Sequence, residues 1–168
     1  MTRVDPTRTE IMVSMIDTQG TLTYANRAFM SHLGRSEVEL IGRPHRQLRH
    51  ADMPDAIYEL MWSELTAHRE FFSYLLYQDA GGAPLWVFSS VYADRDAQER
   101  VIGYHGVHRQ LTAPVSARIR ALFARVLEAE RQGGKAAALR AIDAFTEGTG
   151  RDYSRLSLDI HLAGETDR

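Results

Sequence analysis

Histidine is the residue type in this chain with the widest choice of chemistry. The chain contains seven histidines and no cysteine. Histidine can hold a haem iron or carry a proton near neutral pH, whereas the lack of cysteine excludes disulfides, thiolate zinc sites and cysteine-held iron–sulfur clusters. His105 and His108 stand three apart in an expected strand, so their side chains should face opposite sides. These two histidines therefore do not form one site.

A second group of reactive side chains is the run Arg49-His50-Ala51-Asp52, which precedes an expected helix. The planar guanidinium of Arg49 suits two-point contact with a phosphate. Asp52 has two interpretations that the sequence leaves open. In the first, its carboxylate orients Arg49 or His50, or accepts a hydrogen bond from a hydroxyl of a ligand. In the second, it caps the helix that follows.

Several classes of function have no support in the sequence. There is no Gly-x-Ser-x-Gly elbow, phosphate-binding loop, His-Glu-x-x-His or dinucleotide glycine fingerprint, so we do not expect an enzyme. Lys and Arg number 20 against 22 Asp and Glu, which gives no positive excess for nucleic acid. No apolar run reaches the roughly 18 residues that a membrane span needs, and segment 1–10 is polar, unlike a secretory signal. We expect a cytoplasmic protein without membrane insertion.

The first third of the chain predicts a β-hairpin followed by short helices. Apolar residues 11–16 lead into the turn Asp17-Thr-Gln-Gly20, and 21–25 is the partner strand. Asn26 stands where a helix cap is expected, and Gly34 is placed to end that helix. A second short helix opens with Ser36-Glu-Val-Glu39, a capping-box spacing.

The middle of the chain predicts a longer amphipathic helix, 53–68, and then three strands near 71–78, 85–92 and 101–108. Two strands, several short helices and three strands are an α+β order with an antiparallel sheet of five strands.

The C-terminal part predicts a helical extension. Apolar residues recur at helical spacing at Val115, Ile119, Leu122, Phe123, Val126 and Leu127. Gly133-Gly134 divides this extension, 114–147, into two helices, and 148–168 is interpreted as a polar tail. The apolar stripe is broad enough to need a second chain as cover, so we expect a homodimer.

In this order of elements, five short motifs resemble one family. They are Tyr24-Ala-Asn26, Gly42-Arg-Pro-His45, Arg49-His50-Ala-Asp-Met-Pro54, Met61-Trp62 and Leu85-Trp-Val87. The set resembles a PAS domain over residues 11–110, and within that family the FAD-binding PAS domain of bacterial aerotaxis receptors. The resemblance implies a sensor with a five-stranded sheet, flanking short helices and a side pocket.

Two residues depart from the family pattern. Ala51 stands where the family has a proline, and Tyr77 stands where it has an asparagine that contacts the cofactor. The polar side chains around Ala51 are retained.

The resemblance implies non-covalent FAD, because without cysteine no flavin–cysteinyl photoadduct can form. Arg49 and His50 would meet the pyrophosphate, with Asp52 beside them. Trp62 would stack on a ring of the cofactor, although a helix tryptophan is also a common core residue. Further candidate contacts are Asn26, whose first role is a helix cap, and Gln78, Ser89 and Ser90, whose strand register the sequence does not fix. Trp86 is not among them, because we expect it to pack in the core or in a dimer.

The function that the resemblance implies is redox or oxygen-linked sensing, reported to an unknown signalling protein by contact. Two alternatives stay open. One is a haem-binding gas sensor that uses one of the histidines His50, His68, His105 or His108. The other is a cofactor-free module used for dimerisation.

Overall fold

A computed structural model describes residues 10–67, 69–111 and 113–166, without the side chains of 113–116, 118, 165 and 166. The expected polar segment 1–10, apart from Glu10, lies outside the described residues, as do His68 and the side chain of Val115.

The five strands form one antiparallel sheet, which confirms the predicted α+β fold. They are β1 (Met12–Asp17), β2 (Leu22–Ala25), β3 (Phe71–Gln78), β4 (Pro84–Arg95) and β5 (Val101–Gln110). Their order across the sheet is β2-β1-β5-β4-β3, so the first hairpin lies beside the last strand. Between the hairpin and β3 lie α1 (Arg27–Leu33), α2 (Glu37–Leu40), a 3-10 helix (His45–Leu48) and α3 (Asp55–Thr66).

The predicted helix ends of α1 and α2 are confirmed. The Asn26 side chain accepts from the amide of Phe29 at 2.9 Å, and Gly34 ends α1 with a φ of 62°. At α2 the Glu39 carboxylate accepts from both the amide and the hydroxyl of Ser36. Local polar residues therefore set the limits of these two short helices.

Of the two interpretations of Asp52, the helix cap is wrong. The helix begins at Asp55 and its cap position is Pro54, which has extended backbone angles, so Asp52 lies outside the helix. The physical reason is the proline, because the residue before a proline is disfavoured in helical conformation and the helix cannot extend back through Met53.

The extension folds onto its own sheet. Helix α4 (Ala113–Thr146) places Phe123 against Trp86 of β4, with 5.0 Å between ring centroids. Its apolar residues are buried within the chain, at 0 to 3% exposure for Ile119, Leu122, Phe123 and Val126. These four residues therefore need no second chain as cover, and the homodimer stays a prediction. Trp86, expected to pack in the core or in a dimer, is partly buried and packs against the core of its own chain.

Two glycines interrupt α4 as the sequence predicted. Gly134 has φ 66° and ψ −166°, a region that essentially only glycine occupies. The break lets the second half of α4 take a new direction past α3. No helix in the described ranges is long and apolar enough to cross a membrane.

The interval interpreted as a polar tail contains a helix, α5 (Tyr153–Thr166), which the sequence analysis did not predict. Its inward positions are largely polar: Ser154, Ser157 and His161 are buried beside Tyr153. The Ser154 hydroxyl accepts from the amide of Phe72 at 2.8 Å, and so covers a donor of the edge strand β3. A face built from serines and a histidine gives no hydrophobic periodicity, which is why the helix was missed.

Candidate ligand cavity

A cavity of about 420 Å³ lies between the sheet and the helices that follow β2. Strands β1, β3, β4 and β5 supply one wall, and α3, the 3-10 helix and the loop that follows it supply the other. The volume falls in the range of small-molecule sites, which is roughly 300 to 1,000 Å³. Alternation along the strands decides which side chains reach it.

The inner wall of the cavity is organised by His108 on β5. Its Nε2 lies 3.0 Å from the hydroxyl of Ser14 on β1, and its Nδ1 lies 2.7 Å from the hydroxyl of Ser89 on β4. The ring is 2% exposed, and this burial, with the nearby His45, lowers the pKa of His108 to about 3. The imidazole is thus neutral, with one nitrogen donating and the other accepting. One buried side chain links three strands.

The position of the His108 ring depends on a glycine two residues earlier. A Cβ at Gly106 would lie 2.6 Å from Cε1 and 2.7 Å from Nε2 of His108. Side-chain carbon does not approach that closely, so glycine at 106 makes room for the ring over the strand.

A second polar pair, His45 and Tyr77, stands beside the inner wall. The Gly42-Arg-Pro-His45 motif is tied to the hairpin by hydrogen bonds from His45 N–H to the carbonyl of Gly20 and from Gly42 N–H to that of Leu22. This backbone pairing places His45 Nε2 3.3 Å from the Tyr77 hydroxyl. Desolvation, with the charge of Arg49, lowers the pKa of His45 to about 4, and burial raises that of Tyr77 well above 10.

Arg49 stands at the mouth of the cavity. Its backbone pairs with Tyr77, and the next amide, that of His50, donates to Leu76, so the loop is fixed to β3. The guanidinium lies over the Tyr58 ring, 3.7 Å from its centroid, and pairs with the carboxylate of Asp55. Its Nε is buried and has no hydrogen-bond partner among the described residues. A cation with one spare donor therefore borders the cavity.

Trp62 on α3 also borders the cavity. Its ring meets Tyr104 of β5 edge to face with centroids 5.1 Å apart, and 38% of the residue is exposed. An exposed tryptophan beside a cavity offers a stacking surface.

The other predicted site residues do not border the cavity. His50 Nδ1 accepts from the amide of Asp52 at 3.1 Å, and the Asp52 side chain is 64% exposed. Asn26 uses its side chain on β1 and α1, where it contacts Ile11, Val13 and Phe29. These polar groups hold loops and a helix end in place.

Strand register decides which of the remaining candidates, Gln78, Ser89 and Ser90, face the cavity. Gln78 donates to the carbonyl of Gln47 at 3.2 Å, and neither Gln78 nor Ser90 lines the cavity. Ser89 points inward to His108, so Ser90 points to the opposite face of the sheet. Phe88, on that opposite face, stacks on His161 of α5 at 3.9 Å between centroids.

Of the inner-wall residues, the sequence indicates Ser89 as a flavin contact and His108 as a haem ligand, but not Ser14, His45 or Tyr77. His45 was quoted only as part of a motif, and Tyr77 only as a departure from the family pattern. The useful signal was the spacing of Ser14, Ser89 and His108 on three strands, which has meaning only when the register is known.

The chain belongs to the PAS-fold family, whose sequence profile matches residues 8–116. It is 28% identical over 112 residues to the aerotaxis receptor of Escherichia coli K12, a match that covers 67% of this chain and 22% of the receptor. A biofilm dispersion protein of Pseudomonas aeruginosa is 33% identical over 89 residues, 51% of this chain and 21% of that protein. The chain thus spans about a fifth of the length of either relative.

Solved structures support the fold independently. A light-oxygen-voltage (LOV) domain studied with a flavin analogue aligns at a TM-score of 0.59 and 21% identity, over 64% of this chain and 82% of that one. The LOV domain of the blue-light photoreceptor Aureochrome1 aligns at a TM-score of 0.59 and 20% identity, over 66% and 88%. At these identities the similarity concerns the fold.

Proposed function

We propose that this PAS domain binds a flavin, FAD, in its cavity and reports the redox state of that flavin to a partner protein by contact. The observation that carries the proposal is the composition of the cavity. Aromatic and aliphatic side chains line it, neutral hydrogen-bonding groups stand at its inner wall, and a cation with a spare donor stands at its mouth.

These features fit the parts of a flavin. The isoalloxazine is flat and largely apolar with a polar edge, which suits a slot between Leu75, Val91 and the α3 side chains, ended by polar groups. The ribityl phosphate is anionic and suits Arg49 at the mouth. A bound flavin supplies one- and two-electron transfer. The similarity to an aerotaxis receptor, and the flavin analogue named for a LOV neighbour, support the same ligand class.

The neutral inner wall provides a means to sense the ligand. His108 can exchange the nitrogen that donates for the one that accepts without gaining charge, since Ser14 and Ser89 each donate or accept. A change in the hydrogen bonds of a ligand in the cavity would therefore reach β1, β4 and β5 together.

Strand β4 connects this wall to the extension. Ser89 faces the cavity side, while Trp86 on the other face of the same strand packs on Phe123 of α4. We infer that α4 carries the signal to the partner, either within one chain or in a homodimer.

Haem is the second ligand to test, because histidines border the cavity. His108 is unsuited as an axial ligand because both of its nitrogens contact serine hydroxyls. That leaves His45, whose Nε2 faces the Tyr77 hydroxyl at 3.3 Å, and His105, whose Nδ1 lies 2.7 Å from a carboxylate oxygen of Asp94.

The direct test is the absorption spectrum of the purified protein, followed by denaturation and chromatography of any released chromophore. We expect a yellow protein that releases FAD. A Soret band would indicate that the cofactor is haem and not flavin. A colourless protein that takes up no flavin on refolding would favour a cofactor-free dimerisation module.

Neighbouring residues of β1 give a matched test of the cavity. Ile16→Trp fills the cavity and should abolish flavin binding, whereas Met15→Trp, on the next residue and the opposite face, should leave it intact. Equal flavin content in both variants would contradict the assignment of the cavity.

Two alanine substitutions test the predicted contacts with the flavin. Arg49→Ala and Trp62→Ala should each lower flavin occupancy while the domain stays folded, because each removes a ligand contact at the mouth. Full occupancy in both variants at unchanged thermal stability would remove these residues from the site.

A further inference from the structure

A second recess, of about 460 Å³, opens between α3 and the extension helix α4. It adjoins the cavity, because Arg49, Tyr58 and Trp62 line both. Its other walls come from Asp55 and Glu59 on α3 and from Glu130 and Lys135 on α4, which are charged. A ligand that fills the cavity and continues past Arg49 would enter this recess.

The two cations of the recess are held differently. Lys135 Nζ lies 2.9 Å from Glu59 Oε1, and these side chains are 57% and 50% exposed. Such an exposed pair contributes about 0 to 1 kcal/mol, so Lys135 can exchange its carboxylate for another oxyanion. The Arg49 side chain is 27% exposed and stays over the Tyr58 ring, where its Nε, unpaired among the described residues, is the donor that it can offer a ligand.

The third carboxylate has a different role. Glu130 accepts from the amides of Asp55 and Ala56 at 3.1 and 3.0 Å, which caps the first turn of α3. Backbone donors therefore fix this carboxylate at the start of α3, and it remains a negative charge in the recess.

We propose that the recess binds the pyrophosphate and nucleoside part of a dinucleotide, with Lys135 and Arg49 as its cations and the exposed Trp62 ring as a stacking surface. This inference rests on the proposed flavin function and adds that the extension supplies part of the binding site. A mononucleotide would reach the cations of the cavity, Arg46 and Arg49, whereas a dinucleotide would also reach Lys135 and so bridge α3 and α4.

The experiment is titration of the flavin-free chain, residues 1–168, with FAD, FMN and riboflavin, followed by flavin fluorescence. We expect the affinity to fall from FAD to FMN to riboflavin. Lys135→Ala should weaken FAD about tenfold, the size expected for one lost charge-assisted contact, and leave riboflavin unchanged. Lys135→Arg should restore most of the FAD affinity, and Glu59→Gln should raise it.

Arg140→Ala is the matched control, because it removes one positive charge from the exposed surface of the same helix half without lining the recess. Equal affinities for the three flavins would overturn the proposal. So would a Lys135→Ala variant that loses as much affinity for riboflavin as for FAD, or an Arg140→Ala variant that loses as much FAD affinity as Lys135→Ala. Those results would leave flavin binding itself intact. Failure to bind any of the three would instead refute the proposed function.

Discussion

The inner wall of the cavity and the recess between α3 and α4 are built from opposite kinds of interaction. At the inner wall His108 is neutral, 2% exposed and hydrogen-bonded on both sides by serine hydroxyls. In the recess the pairs Lys135–Glu59 and Arg49–Asp55 are charged and at least partly exposed. Buried hydrogen bonds are costly to leave unmade, whereas exposed ion pairs break at little cost.

The difference separates two tasks. A ligand in contact with the inner wall meets groups that cannot leave their partners without a penalty, so its effect passes into the strands. A ligand in the recess meets groups that can change partners, so that region is suited to selecting the ligand. The following variants test whether the two regions differ in this way.

The largest expected effect of a single substitution on stability is that of Gly106→Ala. The added Cβ would lie within 2.7 Å of the His108 ring and would push it away from Ser14 or Ser89. Leaving one of these buried hydroxyls without its partner should lower the free energy of unfolding by about 2 kcal/mol in urea denaturation.

The same substitution in a His108→Ala background is the control. Without the ring there is nothing to displace, so Gly106→Ala should then cost little. Equal costs in the two backgrounds would show that the glycine serves the strand and not the histidine.

The second effect is a pH dependence of stability. The pKa values of His108 and His45 are lowered to about 3 and about 4, against about 6.5 in the unfolded chain. Between these limits the unfolded chain binds protons that the folded chain does not. The free energy of unfolding should therefore fall as the pH is lowered through about 6.5 towards 4, by up to about 1.4 kcal/mol per pH unit for each histidine.

His108→Gln isolates one of these contributions. Urea denaturation at about pH 7.5 and about pH 5 should show a smaller difference in unfolding free energy for the variant than for the parent chain. An unchanged difference would mean that His108 titrates normally in the folded protein.

The sequence predicted the sheet and the starts of helices α1 and α2 because their signals are local. The Asp17 turn, the Asn26 cap and the Ser36–Glu39 box each depend on residues at most four positions apart. The site was less predictable because its contacts join distant strands, as with Ser14 and His108, 94 positions apart. Helix α5 was missed for a related reason, since its buried serines act on a strand some 80 residues earlier.

The third effect tests the junction of α3 and α4. Glu130→Ala removes the acceptor for two amides at the start of α3 and should cost about 1 kcal/mol of unfolding free energy, the usual value for a helix cap. Asp52→Ala is the matched control, because Asp52 was predicted to cap this helix from sequence and does not. If Asp52→Ala lowered the free energy of unfolding more than Glu130→Ala, Asp52 and not Glu130 would be the cap of α3.

The smallest expected effect is the coupling between Lys135 and Glu59. A double-mutant cycle with Lys135→Ala and Glu59→Ala in the absence of flavin should give a coupling free energy below about 0.5 kcal/mol that vanishes in high salt. A parallel cycle with Ser89→Ala and His108→Ala should give a larger coupling that salt does not change, because those atoms are buried and neutral. Equal coupling free energies in the two cycles would contradict the idea that the inner wall passes a ligand's effect to the strands while the recess selects the ligand. A strong, salt-resistant Lys135–Glu59 coupling would mean that Lys135 is held by its own chain and is not free to exchange its partner for a ligand.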